Sequence, residues 1–324
     1  MTVATNAPNV ASRLVNHILA IKPLANLAKH QARTMMIKRA ESIGVYWRKE
    51  VEDLRSRNSS AEFSPDWEQA LKQIQNPQLN YPSYYVRSFH AYEQGNLSWD
   101  AAMEVEVAAH AVHAKIWQDA GAQGDAMLRQ SYHAVLQQSI ATSPQAILDI
   151  GCSVGMSTFA LQALYPQAQL TGLDLSPYFL AIAQYRAQQK QAEPSSDLQP
   201  IDLQPIAWLH AAAEATGLPD ASMDLVSAHL VFHELPQAAA IAILQEARRL
   251  LRPGGHLSIM DMNPQSEIYA KMPPYILTLL KSTEPYLDEY FALNLEQAIY
   301  NAGFAQPITV CNSPRHRTLV AQVR

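Results

Sequence analysis

The chain has 324 residues, of which 48% are hydrophobic and 16% are charged, and its formal net charge is −5. It is long enough to bury a full core and exceeds what one compact domain needs, so we expect a second, helical part. Two cysteines, Cys152 and Cys311, exclude a disulfide framework and favour a reducing, intracellular location. No apolar run reaches the length of a membrane span, and residues 1–10 lack the pattern of a secretory signal.

The amino-terminal part combines a basic charge with helical periodicity. Basic residues outnumber acidic ones over residues 1–60, although the chain as a whole is acidic. From Ala11 to Lys38, apolar residues recur at helical intervals, interrupted by Pro23. Two interpretations fit. Residues 11–40 could lie on an anionic membrane surface as an amphipathic helix, or pack their apolar stripe on the rest of the protein, which is the commoner case.

Helical patterns continue as far as residue 140. The pattern from Ile43 to Leu54 predicts a continued helix, and Pro65 opens a short one that ends at Ile74. Ser98 is placed to cap a long helix running toward Gln118, and residues 125–140 form another. We therefore predict that residues 1–140 are an all-helical cap or substrate domain.

One face of the long helix carries Glu106, His110 and His113. This spacing resembles that of a metal site, but no clear further ligand accompanies it. Such sets on an alanine-rich helix are more often packed or solvent-facing, so we predict no metal here.

A buried strand, a glycine turn and a helix follow one another between Ala146 and Leu164. Gly151 and Gly155 bracket the turn, which aims free backbone N–H groups at a ligand across the carboxyl end of the strand. The next strand ends in Asp174, where a carboxylate can accept both hydroxyls of a ribose. The D-x-G-x-x-x-G pattern is one glycine short of a dinucleotide site, and it suits an adenosyl ligand without pyrophosphate.

From about Ser139 to Arg324, the chain resembles the class I S-adenosylmethionine-dependent methyltransferases. Besides the turn and the acid, residues 214–226 resemble the family's passage from its third strand into its fourth, and residues 250–257 resemble the turn into its fifth. The resemblance implies an α/β fold, with a Rossmann-like seven-stranded methyltransferase sheet over residues 141–324 beside the all-helical N-terminal domain. It also implies S-adenosyl-L-methionine as the cofactor.

The resemblance implies cofactor contacts from the glycine turn, from the end of the second strand, and from the segments after the third and fourth. These residues are Asp149, Gly151, Cys152, Ser153, Gly155, Asp174, Leu175, Ala213, Glu214 and His229. The chain departs from the family where many members have an aspartate for the adenine amine, because it reads Ala211-Ala-Ala-Glu214 there. That contact falls to the backbone or to Glu214, or it is missing.

Candidate catalytic residues follow the fourth and fifth strands. A base helps methyl transfer to a hydroxyl or an activated carbon by removing a proton. His233 and His229, in the turn after the fourth strand, are the first candidates, then Asp261 at the end of the fifth, and Glu234 can orient a histidine. A histidine here could equally contact the cofactor or only fill the turn.

An aromatic insertion over residues 264–291 can wall an apolar acceptor pocket. We therefore predict methyl transfer to a small, lipophilic or aromatic acceptor, at oxygen or carbon, by a cytoplasmic enzyme with peripheral membrane contact as an open alternative. The competing hypothesis is a cofactor-binding, non-catalytic scaffold or membrane-surface interaction protein that uses its basic helices. A nucleic-acid substrate is disfavoured, because the methyltransferase part is net negative.

Overall fold

The computed structural model describes residues 19–57, 59–90, 92–192 and 203–324. Helices occupy the described chain up to the first strand: α1 Lys22–Ser42, α2 Trp47–Ser56, α3 Asp66–Ile74, α4 Trp99–His113 and α5 Gly124–Ser139. The first part of the predicted basic helix, residues 11–18, lies outside the described residues. The predicted interruption at Pro23 is present, because α1 begins only at Lys22, after the extended residue Ile21, and Pro23 stands in its first turn. Within the described ranges, no helix has the length and apolar character needed to cross a membrane.

Two helix boundaries differ from the prediction. The helix predicted to continue from Ile43 is broken, because Gly44 adopts φ +83°, and α2 begins only at Trp47. Helix α4 ends at His113, short of Gln118. There the chain folds back, since the Gly121 N–H donates to the Ala114 carbonyl.

The second half of the described chain alternates strands and helices. The bounds are β1 Ala146–Ile150, α6 Met156–Leu164, β2 Gln169–Asp174, α7 Pro177–Ala192, β3 Ala207–His210, β4 Met223–His229, α8 Gln237–Leu250 and β5 Leu251–Met262, then α9 Glu267–Ala270, α10 Pro274–Thr283, α11 Leu287–Ala292, α12 Leu295–Asn301, β6 Ile308–Val310 and β7 His316–Gln322. The strands form one seven-stranded sheet in the order β3-β2-β1-β4-β5-β7-β6. Strands β1 to β5 are parallel and β7 is antiparallel to both neighbours, so the predicted fold is confirmed.

The fourth and fifth strands differ in detail from the prediction. Strand β4 ends at His229, and a 3₁₀ turn over Phe232–Glu234 follows, so His229 belongs to the strand and not to the turn. Strand β5 begins at Leu251 and includes the Pro-Gly-Gly run that was predicted to precede it. A register shift against β4 between Met223 and Leu225 accommodates this run as an irregularity within the strand.

The carboxyl ends of β1, β2, β4 and β5 meet at one edge of the sheet, where open α/β sheets hold ligands. Helix α1 lies above this edge and packs against both α4 and α10. The insertion and the first described helix therefore form a common roof over the strand ends.

Candidate active site

The glycine turn after β1 requires its glycines for two reasons. Gly151 and Gly155 adopt φ +64° and +87°, a region that other residues rarely enter. A Cβ on Gly151 would also lie 2.6 Å from Cγ2 of Val231, and one on Gly155 would lie 2.8 Å from the ring of Trp208. The turn therefore packs closely on neighbouring side chains while its backbone faces the strand ends.

Asp174, at the end of β2, is bonded directly to this turn. Its carboxylate accepts the backbone N–H of Ser153 at 2.8 Å and that of Ser176 at 2.7 Å, and the Tyr85 hydroxyl lies at 3.4 Å. Burial raises the pKa of Asp174 to about 6, although the two amides lower it. The carboxylate is thus fixed in position and ionised at neutral pH.

Asp149 has a different environment from the one expected of a cofactor ligand. It is fully buried and accepts the hydroxyls of Ser157 and Thr158 at 2.6 and 2.7 Å. Burial raises its pKa to about 6. Because both hydroxyls belong to the first turn of α6, Asp149 positions this helix from behind the turn.

A cavity of about 520 Å³ extends from the glycine turn to the roof, a size typical of small-molecule sites. Of the predicted cofactor residues, it is lined by Gly151, Cys152, Ser153, Asp174, Leu175, Ala213 and His229. Asp149, Gly155 and Glu214 lie outside this lining. The roof contributes mainly apolar side chains: Met35, Met36, Met272, Ile276, Leu279 and Leu280.

The aromatic segment over residues 80–90 also covers this edge, a role that was not predicted from the sequence. Tyr84 donates a hydrogen bond of 2.6 Å to Oε1 of Glu214, and both Tyr84 and Tyr85 line the cavity. The buried Oε2 of Glu214 has no hydrogen-bond partner among the described residues. The closely spaced tyrosines of this segment could have indicated a ligand-binding role. The sequence pattern does not indicate which strand ends these tyrosines cover.

His229 is a neutral histidine on the cavity wall. Its ring contacts that of Tyr132, and its buried Nε2 has no hydrogen-bond partner in the described structure. Burial, reinforced by the charge of Arg129, lowers its pKa well below the usual value. Its imidazole can therefore accept a hydrogen bond at any physiological pH.

His233 is held by Asp261, not by the predicted Glu234. Its Nδ1 lies 2.7 Å from Oδ1 of Asp261, which is fully buried at the end of β5 and lies outside the cavity lining. Burial lowers the pKa of His233, but the Asp261 carboxylate outweighs it and the result is about 10. At neutral pH this imidazole is therefore protonated, which does not suit the predicted role of a base.

Glu234 instead lies beside His90, whose Nε2 is 3.5 Å from Oε1 of Glu234 and 3.5 Å from Oε1 of Glu284. Among the described residues, these three could hold a metal ion, since their ligand atoms lie within 4.8 Å of one another. Burial lowers the pKa of His90, but Glu284 and Glu234 raise it to about 9. A protonated His90 thus offsets one of the two neighbouring negative charges.

The face of α4 that resembled a metal site carries an ion pair at Glu106 and a hydrogen bond at His113, because burial lowers the pKa of His113. Glu106 bonds Arg186 at 2.9 Å, and His113 bonds the buried Asp125 at 2.7 Å. Each of these two side chains is therefore engaged with a partner of its own.

Comparison with known proteins agrees with this geometry. Residues 148–259 match the family model described as a methyltransferase domain. The malonyl-[acyl-carrier protein] O-methyltransferase of Laribacter hongkongensis is 28% identical over 169 residues, which are 52% of this chain and 54% of that protein. The ubiquinone biosynthesis O-methyltransferase of Psychrobacter arcticus is 29% identical over 164 residues, 49% of this chain and 59% of that protein.

The chain thus spans only about half the length of these curated relatives. A solved structure from Nostoc punctiforme, described as a candidate O-methyltransferase, superposes with a TM-score of 0.53 at 16% identity, covering 86% of this chain and 73% of that one. At this identity the likeness concerns the fold. Together with the glycine turn, Asp174 and the strand order, these matches identify a domain of the class I S-adenosylmethionine-dependent methyltransferase family in this chain.

Proposed function

We propose that this chain transfers the methyl group of S-adenosylmethionine to a small acceptor with an apolar body, bound beneath helices α1 and α10. The observation that carries the proposal is the continuous cavity that joins Gly151 and Asp174 to the apolar roof. Methyl transfer from a sulfonium chiefly requires that donor and acceptor be aligned and that water be excluded. A cavity with a polar floor and an apolar cover serves both needs.

At the floor, Asp174 would accept the ribose hydroxyls, and the backbone of Gly151–Ser153 would border the methionyl part. Leu175 and Ala213 would flank the adenine. Glu214 itself lies outside the cavity lining, but Tyr84, which lines the cavity, donates a hydrogen bond to one of its oxygens. The other oxygen is buried without a hydrogen-bond partner among the described residues, and we assign it as the acceptor for the adenine amine. Glu214 would thereby supply the contact for which many family members use an aspartate.

Near the transferred methyl group, we assign different roles to the two histidines. His229 presents an unpartnered Nε2 that can accept a hydrogen bond from the acceptor's hydroxyl. His233, charged and fixed by Asp261, would donate a hydrogen bond toward the acceptor instead of removing its proton.

The experiment that tests the proposal follows release of S-adenosylhomocysteine. The purified chain is incubated with S-adenosylmethionine and a fractionated cell extract, and the product is quantified by mass spectrometry. Stimulated release with the native chain, absent in Asp174→Ala, supports an enzyme. Tight cofactor binding without release from any fraction would favour the non-catalytic scaffold.

Peripheral membrane contact through residues 11–40 is a second proposal, of which residues 19–40 are described. Helix α1 packs through its alanines, with Ala28, Ala32 and Ala40 buried. Ile21, Leu24 and Leu27 are left 53%, 41% and 53% exposed near Lys22. Co-sedimentation with anionic vesicles tests it: we expect binding that is lost when Leu24 and Leu27 are replaced by Gln, and no binding to vesicles would remove the proposal.

A further inference from the structure

One end of the cavity carries positive charge that lacks an acidic partner. Arg39 of α1 and Arg315, just before β7, both line the cavity beneath the roof. Arg39 donates to the carbonyl of Ala111 at 3.4 Å, and Arg315 donates to that of Val112 at 2.8 Å. Two guanidinium groups from distant parts of the chain are therefore anchored on consecutive carbonyls near the end of α4.

No described carboxylate pairs with either arginine. Burial lowers the pKa of Arg39, and burial together with repulsion from Arg39 lowers that of Arg315 despite the favourable influence of Tyr269. In addition, the buried Nε of Arg315 has no hydrogen-bond partner among the described residues. The carbonyls at the end of α4 favour nearby cations, but helix termini carry only about half a charge and cannot offset two full ones.

The neighbouring titratable groups do not supply the missing anion. His316 also lines this end, and burial and the charge of Arg315 lower its pKa well below the usual value, so it is neutral. His113 is engaged by Asp125, which is itself paired with Arg129. Asp174, Glu234 and Glu284 line another part of the cavity wall, where the protonated His90 and His233 accompany Glu234 and Glu284.

We infer that the methyl acceptor carries an anionic group, a carboxylate or a phosphate, that binds between Arg39 and Arg315. Both arginines are half-buried, and charges that are withdrawn from water are ordinarily paired. Guanidinium forks match the geometry of carboxylates and phosphates. The acceptor's apolar body would then occupy the space under Ile276 and Leu279. The two arginines would thus determine the orientation in which the acceptor binds. That the anion belongs to the methyl acceptor rests on the proposed function. The presence of an anion-binding site does not depend on it.

Equilibrium binding separates the two claims. Using isothermal titration calorimetry on the full chain, we would compare 3-phenylpropionate with 3-phenylpropanamide, a neutral probe of similar shape, with and without S-adenosylhomocysteine. Because hydrogen bonds to charged groups are worth about 1.5–3 kcal/mol, we expect the acid to bind roughly ten- to a hundredfold more tightly. A second anionic probe, 2-phenylethyl phosphate, tells which anion fits better.

The variants Arg39→Gln and Arg315→Gln should each reduce the preference for the acid, and the double variant should abolish it. Arg248→Gln, which removes a guanidinium outside the cavity lining, is the matched control and should keep the preference. Circular dichroism checks folding, and if Arg315→Gln unfolds, Arg39→Gln carries the test. Equal binding of acid and amide by the native chain, or a preference of undiminished size in Arg39→Gln, would overturn the inference. If the chain prefers the acid but transfers no methyl group, the anion site is supported and only the proposed function is contradicted.

Discussion

The backbone N–H of Ser153 donates a hydrogen bond of 2.8 Å to the carboxylate of Asp174, which joins the turn after β1 to the end of β2. The acid proposed to bind the ribose is therefore positioned by the same loop proposed to border the methionyl group. Asp174→Asn should weaken cofactor binding by about tenfold or more, since it loses a charged acceptor. Calorimetry with S-adenosylhomocysteine measures this, and Asp100→Asn on the surface should bind normally.

The raised pKa of Asp174 predicts how cofactor affinity depends on pH. Burial raises this pKa to about 6, so the carboxyl becomes protonated as the pH falls through 6. Ribose hydroxyls donate to the ionised form, so affinity should be constant above pH 7 and fall progressively below pH 6. The Asn variant should be weak but lack this dependence, whereas an identical pH profile in both proteins would assign it to another group.

Gly151→Ala should abolish cofactor binding. The added Cβ meets Val231 at 2.6 Å, and the φ of +64° adds strain. Gly217→Ala is a control that isolates the strain, because Gly217 has φ +74° and no neighbouring atom within 4 Å of the position that a Cβ would take. We expect Gly217→Ala to cost only about 1–2 kcal/mol of stability, with cofactor binding retained. Equal effects of the two substitutions on binding would argue against close packing at the turn.

Leu279→Trp should impair acceptor turnover without affecting the cofactor. Leu279 lines the roof of the cavity, so the larger ring would occupy the acceptor's space while the floor stays unchanged. Tyr275→Trp lies on the same helix but faces solvent, since Tyr275 is 67% exposed, and it should behave as the native chain. Acceptor KM and cofactor Kd are the quantities to measure, and a changed Kd alone would contradict the assignment of the roof.

Asp125 should contribute strongly to stability in a pH-dependent manner. It is buried and paired with both His113 and Arg129, and despite its burial these partners lower its pKa well below the usual value. Because the folded-state pKa is depressed, this stabilisation is present above the unfolded-state pKa near 4 and is lost as the pH falls below it. Asp125→Asn should cost about 3 kcal/mol at pH 7, measured by urea unfolding, and less near pH 3. The same loss at both pH values would assign the effect to packing.

Local patterns predicted the methyltransferase half better than the helical half. The turn and Asp174 were recognised because a buried strand, two glycines and a terminal acid are adjacent in the chain. Partners distant in sequence were missed: Asp261 rather than Glu234 holds His233, and Tyr84 reaches Glu214. Such contacts depend on how strands and loops are arranged in space, which hydrophobic periodicity does not encode. The helix break at Gly44 was readable in principle, since glycine often ends helices.

The contact of α1 with α10 has a consequence for how the protein is made. Ribosomes synthesise a protein from its amino terminus, so α1 leaves the ribosome long before α10, the helix against which it packs. Until Pro274–Thr283 has been synthesised, the apolar side chains of α1 have no covering partner on that side, and a nascent molecule would present them to chaperones. The roof of the cavity is therefore among the last features to be completed during biosynthesis.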